Sequence, residues 1–209
     1  MHVPLSVLRR CTSARWCTAR RAREGHAVAE VFIRRLSRWQ AESQREAVAK
    51  VYVESYGTED SAADRASDRE EFLETFADDV QRPGFDMVVA ASGPRPVAYA
   101  YGFPVGDDGP SGIAELTSGG PVSGPVFVLA ELMVLPDFRR DGVATRLIEQ
   151  LLMRTNAAQV TVRVHPANES GVSALRAWGW TRLGTVEPTG GVVTAVDTAV
   201  EIWSRTLTT

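Results

Sequence analysis

Arg139, Arg140 and Gly142 stand between an apolar run that stops at Pro136 and an amphipathic segment that begins without an ordinary capping side chain. Their spacing is Arg139-x-x-Gly142-x-Ala144. The first backbone N–H groups of a helix lack intrahelical acceptors, and the helix dipole adds partial positive charge there. A phosphate can accept from several of those groups at once. Gly142 would let the backbone approach a ligand without a Cβ in the way. Ala144 keeps the next turn slim, and the two arginines add charge-assisted contacts. With a ligand the joint reads as a pyrophosphate cradle; without one it is a strand–turn–helix joint with solvated arginines. It is not a P-loop, which needs Gly-Lys-Ser/Thr, nor a dinucleotide fingerprint, which needs Gly-x-Gly-x-x-Gly.

Glu131 interrupts the apolar stretch "VFVLAELMV" just upstream. Strand alternation puts it on the face of Phe127, Leu129 and Met133. A carboxylate on such a face is costly unless paired or exposed, and burial would raise its pKa toward the range of a general base. Two readings stand level: a base that takes the proton of an incoming ammonium, and a structural carboxylate paired with an arginine. His165, at a strand end before Pro166, ranks below Glu131 as a base. Tyr99 and Tyr101 read as sheet aromatics before pocket lining, and Trp178 and Trp180 as core. The loop acids Glu59, Asp60, Asp64, Asp107 and Asp108 read as a solvated face that could also attract a cationic amine.

Several elements must position these residues. Residues 28–36 alternate as a first strand. Gln40–Tyr56 carry a helical stripe of Ala47, Val48, Val51 and Tyr52. "GTEDSAADRAS" reads as an acidic loop, after which Ser67-Asp68-Arg69-Glu70 reads as a capping box opening a helix with Phe72, Leu73 and Phe76. "FDMVVAAS" and "PVAYAYGF" form a strand pair across "GPRP". A long loop spans 104–125. Then follow the strand "PVFVLAELMVLP", a helix over Gly142–Arg154, the strand "QVTVRVH", the short helix "ESGVSALRAW" and two closing strands. The order β-α-α-β-β-β-α-β-α-β-β gives an α/β fold of α+β character, with about six to seven strands in a mixed central sheet and helices on both faces.

With 209 residues, 44% hydrophobic and 23% charged, the chain fits one globular domain. A net charge of −3 argues against a nucleic-acid partner. Only the arginine-rich residues 1–26 point the other way, and these read as a disordered basic leader, or a transit segment, ahead of a domain over 27–209. Two cysteines, Cys11 and Cys17, suggest a reducing compartment, hence the cytoplasm. No Cys/His spacing fits a metal, and no apolar run approaches the roughly 20 residues of a membrane helix.

The stretch "ELMVLPDFRRDGVATRLIEQLL" resembles the acyl-CoA-binding motif of the GNAT superfamily of N-acetyltransferases, Arg/Gln-x-x-Gly-x-Gly/Ala after a strand that ends in an apolar-Pro step. "NESGVSALRAWGW" is similar to that family's later segment, and the order of elements from about residue 28 onward also fits. The resemblance implies acetyl-CoA as co-substrate, no metal, and two strands that splay apart around the cofactor. It implies that Met133 and Val134 offer backbone groups to the pantetheine arm and the acetyl carbonyl. Arg139, Arg140, Asp141, Gly142, Val143, Ala144 and Thr145 would wrap the pyrophosphate, and Asn168 would hydrogen-bond the cofactor. A glutamate at the place of Glu131 acts as base in similar proteins. The acceptor would be a primary amine on a small molecule or peptide, with no nucleic acid or membrane involved and a homodimer left open. One departure stands out: the tyrosine that protonates the departing thiolate in many members is Leu175 here, with water, Ser170 or Ser173 as substitutes. A catalytically silent acyl-CoA-binding or sensory module is the alternative that Leu175 supports.

Overall fold

The computed structural model describes residues 30–55, 62–105, 125–186 and 199–207, with 62–64 as backbone only. The elements among them are β1 (Val31–Leu36), α1 (Arg38–Ser43), α2 (Arg45–Ser55), α3 (Ala62–Val80), β2 (Asp86–Ser92), β3 (Arg95–Pro104), β4 (Val126–Val134), α4 (Val143–Leu152), β5 (Gln159–Val164), α5 (Glu169–Ala177), β6 (Thr181–Val186) and β7 (Val200–Thr206). The seven strands make one sheet in the order β1-β2-β3-β4-β5-β7-β6. The β4–β5 pair is parallel and the rest are antiparallel, so the sheet is mixed as expected.

Two helix boundaries differ from the sequence reading. The segment expected as one helix over 40–56 is two, α1 and α2, which meet at Gln44. The capping box lies at Ser37, whose Oγ accepts from Gln40 N while Gln40 Oε1 accepts from Ser37 N. Ser67 is inside α3, which already begins at Ala62. The Ala-rich "AADRA" stretch has high helix propensity and no breaker, so the helix extends upstream through the supposed cap. The middle of the expected long loop, 106–124, falls outside the described residues.

Both faces of the sheet are covered. Tyr99 and Tyr101 of β3 pack on Phe72 and Phe76 of α3, with ring centroids 6.1 and 5.3 Å apart. Both tyrosines are fully buried, so they belong to the core, where each aromatic pair contributes about 0.5–1.5 kcal/mol beyond its area. On the other face Arg35, beside Asp86, donates to the carbonyl of Gln150 in α4. The buried stripe Val143, Leu147, Ile148 and Leu151 seats α4 there, as its 3.6-residue period predicts.

A bulge in β4 corrects the expected face of Glu131. Tyr101 pairs with Glu131 but Gly102 pairs with Leu129, which leaves Ala130 as the extra residue. Such an insertion reverses the alternation. Glu131 and Met133 therefore share the α3 face with Tyr101 and Tyr99, whereas Phe127 and Leu129 face the α4 side with Gly102. Gly102 is required there: a Cβ on it would stand 2.1 Å from the Val128 carbonyl and 2.6 Å from the Phe127 ring.

Candidate active site

The two central strands part at the point where chemistry was expected. β4 pairs with β5 only from Val126↔Gln159 to Leu129↔Val162, while on its other side it stays paired with β3 through Val134. Beyond Leu129 the β4–β5 pairing ends, which leaves a gap in the ladder between the two strands. Leu135 N donates to Val97 O at 2.9 Å. Antiparallel alternation then makes Val97–Leu135, Tyr99–Met133 and Tyr101–Glu131 the pairs that exchange hydrogen bonds. The backbone groups of Leu132 and Val134 point away from β3, into the gap. Met133 spends its backbone on Tyr99, so the edge groups that face the gap belong to its two neighbours.

At the end of that gap the chain makes a 3-10 turn over Pro136–Phe138 and enters α4. Gly142 sits at the N-cap with φ 74° and ψ 6°, and Arg140 is also left-handed at φ 67°. A non-glycine residue there costs energy of order 1–3 kcal/mol and marks a constrained joint. A Cβ added to Gly142 would meet no atom of a described residue within 4 Å. The glycine is thus demanded by its backbone angle and borders open space. The first helical bond runs from Arg146 N to Gly142 O, which leaves the N–H groups of Val143, Ala144 and Thr145 without intrahelical acceptors. These features fit the diphosphate of an acyl-CoA.

Arg139 has a different place from the one its position in the motif implies. Its Nε donates to Val134 O at 3.0 Å, and its Nη2 donates to the carbonyl of Ser55 at the C-terminal end of α2. A cation there satisfies an orphan helix carbonyl. The guanidinium ties α2 to the end of β4 and holds the loop.

Glu131 is 7% exposed and makes no hydrogen bond or ion pair with a described residue. Burial, and then the charge of Asp79, raises its pKa from 4.5 to about 8. The arginine pairing considered for it is not seen among the described residues. Asp79, from the end of α3, holds Arg82 Nε at 2.8 Å and accepts from the Tyr101 hydroxyl at 3.3 Å. Burial raises the Asp79 pKa and outweighs the opposing effects of Arg82 and Tyr101. Tyr101, enclosed and facing both Glu131 and Asp79, has its pKa pushed well up and keeps its proton. Sequence reasoning missed Asp79 and its neighbour Arg163. Asp79 lies at the i+7 and i+3 positions from Phe72 and Phe76, on the apolar stripe of α3, and that was its signal.

The remaining candidates fall into supporting roles. Asn168 caps α5, its Oδ1 accepting from Gly171 N at 2.9 Å and Ser170 Oγ at 3.0 Å. His165 is buried, and its Nδ1 accepts from Ala167 N at 3.1 Å, which shapes the turn into α5. Trp180 is buried and Trp178 packs on the same core. Leu175 is buried in that core, and the exposed Ser170 and Ser173 lie on the same helix. Among the described residues no group of three or more His, Cys, Asp or Glu could hold a metal ion, and no helix is long and apolar enough to cross a membrane.

A family model described as "Acetyltransferase (GNAT) family" matches residues 38–180. The PaiA N-acetyltransferase of Thermoplasma acidophilum, solved in complex with coenzyme A, is similar with a TM-score of 0.56 and 16% identity, over 85% of this chain and 99% of that one. The ribosomal-protein-S18-alanine N-acetyltransferase of Escherichia coli gives 0.57 and 15%, over 86% and 96%. NAA60 of Arabidopsis thaliana, in complex with acetyl-CoA, gives 0.60 and 14%, over 85% and 99%. At these identities the likeness is one of fold. No curated protein sequence matches.

Proposed function

We propose, since this chain belongs to the GNAT acetyltransferase family, that it transfers an acetyl group from acetyl-CoA to a primary amine by direct attack. The observation that carries this reading is the parting of β4 from β5 beside the left-handed Gly142 joint. Acetyl-CoA, when bound, supplies the acetyl thioester: the amine nitrogen bonds to the carbonyl carbon and the sulfur leaves with the electrons of the broken C–S bond.

The chain's own residues do the rest. The N–H groups of Val143, Ala144 and Thr145, with Arg140 and Asp141 beside them, hold the diphosphate at the start of α4. Leu132 offers its N–H and carbonyl, and Val134 its N–H, to the pantetheine arm, the Val134 carbonyl being held by Arg139, and an N–H from this edge stabilises the oxyanion. Asn168 adds a contact from the β5 side through its amide nitrogen. Glu131 takes the proton that the ammonium must lose before attack, directly or through one water. With Leu175 in the place of a tyrosine, the thiolate departs without a side-chain acid; a thiol pKa near ~8.5 makes that tolerable. Holding both reactants in the gap supplies much of the remaining rate. A cytoplasmic setting agrees with the two thiols of the sequence.

Thiol release from acetyl-CoA against a panel of small amines, amino acids and peptides tests the reading. Turnover with any of them is the expected result. Tight CoA binding with no turnover across the whole panel would instead make the protein a silent acyl-CoA sensor.

A further inference from the structure

Arg163 has no part in the cradle or the proton transfer, yet it lies on the same side of the sheet as Glu131. Leu129 and Val162 are the last register pair of β4 and β5, and Leu129 faces α4. Alternation therefore sends Arg163 to the α3 side, one residue past the parting of the strands. Its electrostatic neighbours agree, since Arg82 and Asp79 at the end of α3 are the charges it feels. Glu131 and Arg163 thus flank the opening from its two walls.

Arg163 feels the carboxylate of Asp79 but has no bonded partner among the described residues. The nearby carboxylate of Asp79 is already held by Arg82 at 2.8 Å and by Tyr101 at 3.3 Å. Its cross-strand neighbour is apolar: Ile202, the register partner of Arg163, clusters with Phe103 and Val128, and Arg82 covers the Phe103 ring at 4.6 Å. A half-buried guanidinium in such a place keeps its charge, and leaving it unpaired is costly. An oxyanion arriving with the substrate would remove that cost, and exclusion of water would strengthen the contact.

We propose that Arg163 receives a carboxylate of the acceptor, so that the preferred substrate is a primary amine that also carries a carboxylate, such as an α-amino acid, over a simple cationic amine or an amino sugar. The α-amino acid carries both groups on one carbon. Its nitrogen and carboxyl carbon are about 2.5 Å apart, and one hydrogen bond at each end extends this to about 8 Å. The inference rests on the acetyl-transfer reading above and specifies its acceptor.

The test is thiol release from acetyl-CoA with a panel of α-amino acids, each against its own amide and its decarboxylated amine, using the wild type, Arg163→Gln and Arg163→Lys. CoA affinity is measured by calorimetry on each. The best amino acid should exceed its amide in kcat/KM by about 10- to 100-fold, the usual worth of a charge-assisted hydrogen bond. The comparison is conservative, because the amide has the less basic amine and more of it arrives neutral. Arg163→Gln should bring that ratio to within about threefold of one, and Arg163→Lys should keep part of the preference. If no amino acid is turned over better than its amide while plain amines react, the carboxylate assignment is wrong and acetyl transfer stands. If Arg163→Gln weakens CoA binding more than tenfold, the arginine belongs to the co-substrate and the assignment is likewise wrong. If no amine of any class releases thiol, acetyl transfer fails and takes this inference with it.

Discussion

Glu131 holds its proton at neutral pH until a cation approaches, because burial and Asp79 lift its pKa to about 8. An ammonium beside it favours the carboxylate, so Glu131 releases its own proton to solvent as the acceptor arrives and only then takes one from the ammonium. Replacing the carboxylate in Glu131→Gln should lower turnover at pH 7 by roughly 10²–10⁴ with CoA affinity nearly unchanged. The deficit should narrow as pH rises toward the pKa of the amine, where more acceptor arrives neutral. Wild-type turnover from this variant would move the base elsewhere, with His165 next to test. Stability carries the same signature. The folded pKa exceeds the ordinary 4.5, so the stability tied to this proton is complete below about 4.5 and is lost as pH rises toward 8. Glu131→Gln should therefore gain melting temperature relative to the wild type across that window; a constant difference would contradict the burial. At the cradle, Gly142 combines a left-handed backbone with open space. Asparagine tolerates that backbone better than other side chains but puts atoms where the diphosphate would lie. Gly142→Asn should keep the fold while weakening CoA binding more than tenfold, over ~1.4 kcal/mol. Unchanged affinity in the folded variant would remove the cradle from the site.

At the scale of elements, the bulge in β4 decides which face Glu131 occupies. It depends on Gly102, where a Cβ would collide with the Val128 carbonyl at 2.1 Å. Gly102→Ala must displace backbone and not merely a flexible side chain. A cost of about 1–3 kcal/mol is expected, seen as a melting point several degrees lower, with acetyl transfer falling further than CoA binding because the base moves and the cradle does not. A variant as stable and active as the wild type would mean that β4 reaches the same face without the bulge. This feature also shows where reading the sequence stopped short. Period-two alternation found β4 and found Glu131, yet it put the carboxylate with Phe127 and Leu129, since a bulge depends on what the partner strand accepts. The split at Gln44 and the upstream start of α3 were missed for a related reason, because propensity and packing set boundaries that a local cap pattern does not. Arg163 stood in view as a charge inside "QVTVRVH", as Glu131 did inside its own strand; only the register with β4 puts the two on one face.

Across the whole molecule, the mixed sheet, its strand order in sequence and the membership of the family were legible, because two motifs in order and a run of periodic segments all agree. The acceptor was not, since the groups that would recognise it come from α3, β4 and β5, far apart along the chain. Residues 1–26, read as a basic leader without apolar periodicity, precede β1, which pairs with β2 from Val31 onward. A chain beginning at Ala27 should keep its melting temperature and its CoA affinity; a loss of several degrees would show that the leader packs on the domain. The parting of β4 from β5 has one more consequence. The amides of Leu132 and Val134 point away from β3 on the side where β5 no longer pairs, while those of Glu131 and Met133 remain bonded to β3. In a hydrogen-exchange experiment the first pair should exchange quickly in the free protein and the second pair slowly. Acyl-CoA, lying along that vacated edge as a surrogate strand, should slow the first pair and leave the second as it was.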